Sequence, residues 1–185
     1  MTDAGEIVYE VLEPVPIPAT KPPTELVDGR LVQKTGGERA HQALEKRWVA
    51  ALDAWAGHHG RVLHEWRHQF HAPGHSFASL VPDVAYLPHE TLDTLGPDAS
   101  ETPPCAPDIA VEVLSLGDSQ DSLGWKIGAY LAAGTSVLFV VDPLKRKVTA
   151  HSRNDVKRFG PGETVMHPLV PGFAYAVDSM FEGCP

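Results

Sequence analysis

Residues 107–114 read Pro-Asp-Ile-Ala-Val-Glu-Val-Leu. A short run that is apolar on both faces marks a strand covered from both sides, in the middle of a sheet. Glu112 interrupts it, and a carboxylate buried in such a strand is costly unless it is paired or bound to a metal. Downstream, a helix from about 119 to 133 carries Leu123, Ile127, Tyr130 and Leu131 and ends at Gly134. The segment 136–142, SVLFVVD, is a further buried strand. Upstream, 79–87, SLVPDVAYL, reads as one strand, and 61–71 alternates as another with Val62, His64, Trp66, His68 and Phe70 on one side.

The front of the chain supplies a hairpin at 25–32, with Asp28-Gly29 at the two positive-φ positions of a type I′ turn. A helix follows. Thr35 and Glu38 fit a capping box, Leu44, Trp48, Ala51, Leu52 and Trp55 recur at helical spacing, and Gly57 closes it. Residues 1–23 hold five prolines and read as an extended arm, leaving 24–185 as one domain. The four prolines of 88–106 suggest a long loop. Two or three short strands finish the chain. The expected order is hairpin, helix, three strands, helix, further strands: an α/β sandwich around a mixed sheet.

The 185 residues carry 15 Lys+Arg against 24 Asp+Glu, a formal charge of −9. That excludes a nucleic-acid coat protein, whose signature is a strongly basic chain. Two cysteines make neither a disulfide framework nor a four-cysteine zinc site, and a reducing cytoplasm is the default. The acidic start lacks the pattern of a signal peptide, and the apolar run at 127–141 is too short to cross a bilayer, so no membrane segment is expected.

The chemistry concentrates on Asp83 and Glu112. If their strands pair antiparallel, the start of one lies beside the end of the other and the two carboxylates meet at one sheet edge. Converging carboxylates suit magnesium or manganese. Asp108, four residues before Glu112, is roughly 13 Å away along the strand and reads as a strand-entry residue. Lys126 and Tyr130 lie one turn apart on the following helix, where the lysine can orient water or stabilise charge on a phosphate. The resulting hypothesis is phosphodiester cleavage by a metal ion with Lys126.

Supporting roles fall to His41, on the apolar face of the first helix, and to Glu65, which could approach Asp83 from an adjoining strand. His64 and His68 would share a strand face, but a wetted face explains them better than zinc. Lys145, Arg146 and Lys147 begin a basic stretch, 144–158, that could contact phosphates or blunt a sheet edge.

VPDVAYL, APDIAVEVLS, the helix with Lys126 and Tyr130, and AGTSVLFVVDP together resemble the Uma-two family of restriction-endonuclease-like proteins, itself similar to the PD-(D/E)XK nuclease superfamily. ELVDGRLV, His41-Gln42 and PLVPGFAYAVDSMF extend the resemblance over roughly residues 24–182. It implies a restriction-endonuclease-like fold: a mixed β-sheet flanked by helices, with an N-terminal hairpin and arm. It also implies a magnesium- or manganese-dependent endonuclease acting on nucleic acid, DNA before RNA. Asp83 maps to the superfamily's aspartate and Glu112 to the acid of its E-x-K element. Leu114 stands where that element has lysine, and Lys126 takes the lysine's place. By the same analogy the Val113 carbonyl is a further metal ligand. A homodimer fits the need of double-strand cutters for two sites. The alternatives are a catalytically silent binding protein on the same fold and a metal-dependent hydrolase of a small phosphoester.

Overall fold

The computed structural model describes residues 15–35 and 39–184. Strands β1 (Thr24–Val27) and β2 (Arg30–Gln33) form the expected hairpin, with Asp28 at φ 49° and Gly29 at φ 71°, both positive as the tight turn requires. Helix α1 (Arg39–Ala56) buries His41, Leu44, Trp48, Leu52 and Ala56 on one stripe at three- and four-residue spacing. Of the expected capping box, only Thr35 lies among the described residues. The Thr35 hydroxyl donates to Asp118, and Glu38 lies outside the described residues.

The two long strands expected at 61–71 and 79–87 are each broken in two. They become β3 (Gly60–His64) and β4 (His68–Phe70), then β5 (Ala78–Leu80) and β6 (Val84–Pro88). β3 pairs with β6 and β4 with β5, so one antiparallel ribbon leaves one sheet and enters another. The cause is local at both bends. Glu65 has φ 46°, which no strand residue adopts, and Pro82 has no N–H to offer a ladder. The expected long loop at 88–106 contains helix α2 (His89–Ala99). Its prolines punctuate helix and do not prevent it. Pro88 is the N-cap, and Pro97 follows Gly96 (φ 77°) at the start of a fresh turn, where a missing N–H costs nothing.

β7 (Ile109–Val113), α3 (Gln120–Ala132) and β8 (Val137–Asp142) form a parallel strand–helix–strand unit. Four strands and a short helix complete the described chain, more than the two or three strands expected: β9 (Lys147–His151), β10 (Val156–Phe159), β11 (Thr164–His167), β12 (Val170–Ala176) and α4 (Val177–Met180). The main sheet has the order β10-β9-β8-β7-β6-β3 and is antiparallel except at β7–β8. A second sheet has the order β2-β1-β5-β4, and β11 pairs with β12.

The period of two along β7 divides the core. Ile109, Val111 and Val113 pack with Leu44, Trp48 and Leu52 of α1. Ala110 faces the opposite way and packs with Ala129 and Tyr130 of α3. Glu112 follows Ala110 by two and therefore faces α3 as well. Gly60 marks a close approach at the sheet margin, where a Cβ would run into the Tyr86 ring and the Leu87 carbonyl oxygen. Gly60→Ala is accordingly expected to cost about 1–3 kcal/mol in urea unfolding, the usual range for overpacking. An unchanged midpoint would show that the strand end simply shifts.

Candidate functional site

The antiparallel pairing of β6 with β7 sets Val84 opposite Val111, which brings Asp83, just before β6, to the end of β7. The Val113 N–H donates to Asp83 Oδ2 at 2.6 Å. The meeting point is at the strand ends in the interior of the main sheet, where β6 and β7 are inner strands, and not at a sheet edge. Asp83 and Glu112 line one cavity of about 120 Å³ together with Glu25, Lys34, His41 and Lys126. That is room for a few waters or a hydrated ion.

Each carboxylate has charged partners. Asp83 Oδ1 accepts from Lys34 Nζ at 2.6 Å and from His41 Nε2 at 3.1 Å. The other ring nitrogen of His41 lies 3.1 Å from Ser115 Oγ. Glu112 Oε1 is 2.7 Å from Lys126 Nζ and accepts from the Tyr130 hydroxyl at 3.2 Å. Lys126 also donates to Glu25, 3.1 Å from Oε2. Lys126 and Tyr130 are four apart on α3 and therefore reach the same strand position. Sequence reasoning placed Asp83, Glu112, Lys126, Tyr130 and His41 as candidates, and the structure brings all five together.

Glu25 and Lys34 were not foreseen. Glu25 Oε1 accepts from the Val81 N–H at 2.7 Å, and Lys34 Nζ donates to the Val81 carbonyl at 2.7 Å. The two side chains hold the backbone of one residue, Val81, by its N–H and its carbonyl, in the link that delivers Asp83. A signal for Glu25 existed, because alternation puts it on the same inward face of β1 as the buried Val27. Lys34 follows β2, whose four residues are all exposed, and carries no periodic signal.

Three other expectations change. Glu65 is exposed and meets Asp83 only through its backbone N–H, which donates to the Asp83 carbonyl at 3.2 Å. His64 and His68 do not share a strand face. His64 is exposed beside Glu45, whereas His68 is buried with Nδ1 on the Cys105 carbonyl. Lys147 is separated from its neighbours in sequence: Lys145 and Arg146 line a groove of about 800 Å³ with Arg39, and Lys147 does not. That groove shares His41, Ser115 and Asp118 with the acidic cavity. Asp108 sits at the entry of β7 and accepts from the Ser136 hydroxyl, as expected of a strand-entry residue.

Burial and charge compete in the cavity. Burial alone would raise Asp83, but the Lys34 ammonium and the His41 hydrogen bond outweigh it and hold the carboxyl well below the usual range. Burial would lower Lys34, His41 and Lys126, and their carboxylate partners raise all three instead. Glu112 differs. Burial lifts it from 4.5 to about 7, Lys126 and Lys34 pull against that, and Glu25 and Asp83 push with it. Asp83 has both Lys34 and His41 to itself, whereas Glu112 shares its one ammonium, Lys126, with Glu25 and is therefore the less compensated acid.

A stability prediction follows from Glu112. The folded protein holds its proton between about 4.5 and about 7, where the unfolded chain has lost it, so stability falls as pH rises through that window. His41, also raised, acts in the same direction because its charged form is lost at higher pH. Asp83, lowered, adds no slope in this window, because the stability it contributes is lost only as pH falls below the ordinary carboxylate range. Burial pushes His68 down to about 4 and lowers His151 and His167, and these act the opposite way, so the prediction is a difference: between pH 5 and pH 8 the wild-type urea midpoint is expected to fall relative to that of Glu112→Gln. Equal slopes for the two proteins would refute the shared-charge account.

The sequence matches the Uma2 family, described as "Putative restriction endonuclease", over residues 9–178. The chain belongs to the Uma2 family. A solved structure from Anabaena variabilis, described as a putative nuclease belonging to DUF820, aligns with this chain at a TM-score of 0.77 and 23% identity, covering 89% of this chain and 93% of that one. The likeness shows a shared fold, the restriction-endonuclease-like arrangement of a mixed sheet between helices. No curated protein matches the chain. In this Uma2 chain no helix among the described residues is long and apolar enough to cross a membrane.

A divalent cation is the group such a fold implies. The donor set fits one in kind. Glu25, Asp83 and Glu112 and the Val81 carbonyl are hard oxygens, and the carboxylates exceed the lysines by one charge. Among the described residues, however, no three His, Cys, Asp or Glu side chains form a ready metal cage. Ammonium groups stand between the carboxylates.

Proposed function

We propose that this Uma2 chain is a magnesium- or manganese-dependent endonuclease that hydrolyses phosphodiester bonds of nucleic acid, with DNA as its substrate. The observation that carries the reading is the convergence of Asp83 and Glu112 at the ends of adjacent strands, in one small acidic cavity. Asp83, Glu112 and the Val113 carbonyl are the proposed holders of the metal. A bound divalent ion would supply Lewis-acid stabilisation of the phosphate and an acidified water.

The chain's own residues do the rest. Lys126 and Tyr130 fix the Glu112 carboxylate, and Lys126 keeps positive charge beside it. His41 orients Asp83 and lies where the cavity meets the larger groove. Arg39, Lys145 and Arg146 line that groove and offer charges to a phosphate backbone. A homodimer would bring two such sites to one duplex.

The test is cleavage of supercoiled plasmid, duplex oligonucleotide and RNA in magnesium or manganese, with a chelator control. Metal-dependent scission of plasmid or duplex is expected. No scission of any of the three would favour the catalytically silent reading, which Leu114 in the usual lysine position supports. Turnover of a small phosphodiester alone would favour the third reading.

A further inference from the structure

The acidic cavity contains two lysines of different standing. Lys126 is planted on α3 and bridges Glu25 to Glu112. Lys34 comes from the end of an exposed strand and reaches inward to a single carboxylate, Asp83, and to the Val81 carbonyl, at 2.6 and 2.7 Å. Those two oxygens are the hard, anionic or dipolar kind that a divalent cation selects. A divalent ion on the Asp83 carboxylate would stand beside the ammonium, and two positive charges so close in a buried site repel strongly. We infer that Lys34 is the resident cation of the cavity: its ammonium holds the Asp83 carboxylate and leaves it when a divalent ion binds there. The inference rests on the reading of this cavity as the metal site.

A second position for the side chain exists. Lys34 also lines a neighbouring cavity of about 470 Å³, whose walls include Glu45 and Glu65. Glu45 there faces the exposed His64 ring at 2.9 Å, so an ammonium that turned that way would meet a half-buried carboxylate. The exchange therefore moves one positive charge from Asp83 toward Glu45 and leaves the Glu25–Lys126–Glu112 bridge intact.

The primary test is calorimetric titration of chelator-treated full-length protein with manganese. Lys34→Met is expected to bind manganese at least about tenfold more tightly than wild type, and Lys34→Arg to stay close to wild type. Equal or weaker binding by Lys34→Met overturns the inference, as does the absence of any binding heat. A second measurement needs no variant. Acetylation of wild-type lysines, read by mass spectrometry, should find Lys34 protected without metal and reactive with saturating magnesium, while Lys126 stays protected throughout. Unchanged Lys34 labelling at saturation overturns the inference even where plasmid cleavage succeeds. Conversely, exchange at Lys34 without cleavage would sink the nuclease reading alone.

Discussion

Asp83→Asn is expected to lower metal-dependent cleavage by roughly 100-fold or more, the scale of losing one preorganised charge-stabilising group, and also to lower stability, because Lys34 and His41 lose their charged partner. The substitution is chosen for what it retains. The asparagine carbonyl can still accept from the Val113 N–H, which Asp83 Oδ2 does at 2.6 Å, so the end of β7 keeps its anchor. What it loses is the negative charge that faces Lys34 and His41 and that a divalent ion would require. Alanine in the same place would also orphan a buried N–H and confuse the two effects. The readout is initial cleavage rate beside a thermal melt. Wild-type cleavage by a folded Asp83→Asn protein would remove Asp83 from the proposed chemistry.

Lys126→Ala is expected to destabilise the protein by about 3–5 kcal/mol at pH 8, the range for breaking a buried ion pair from one side. Against a typical total of about 5–15 kcal/mol, that approaches unfolding. Removing the ammonium leaves Glu25 and Glu112 buried without their shared counter-ion. The loss should shrink at pH 5, because Glu112 can take up a proton there, burial already favouring its neutral form. Lys126→Met with Glu112→Gln should recover much of the loss by removing both partners of the tighter contact. Urea unfolding of the three proteins at both pH values checks this. A cost below about 1 kcal/mol at pH 8 would mean the pair is solvated. Cleavage by Lys126→Ala at the wild-type rate would deny the lysine a role in the chemistry.

Most of the site was legible because its signals are local. Glu112 was conspicuous as an acid in an apolar strand, and antiparallel pairing then nominated Asp83. The four-residue spacing of Lys126 and Tyr130 pointed both at the same target. His41 lay on the helical stripe of Leu44 and Trp48. Less legible were the breaks at Glu65 and Pro82, which turn two apparent strands into four. Alternation runs through the first break and a largely apolar run through the second, and only a backbone angle and a missing donor reveal them. Helix α2 was hidden by prolines that end and begin helical turns.

Glu25 and Lys34 show where reading along the chain stops. Glu25 finds its counter-ion 101 positions away in Lys126, and Lys34 finds Asp83 49 positions away. The sequence by itself determined the strand–helix–strand centre, the hairpin, the first helix and the two carboxylates, because periodicity and turn chemistry are properties of neighbours. Only the tertiary structure decided how those carboxylates are neutralised. The second sheet carries Glu25 into the cavity, and the chain end leaving its hairpin sends Lys34 there too. In a buried, low-dielectric cavity the charge balance is set by every ion that shares it, and membership in that group is a property of the whole fold.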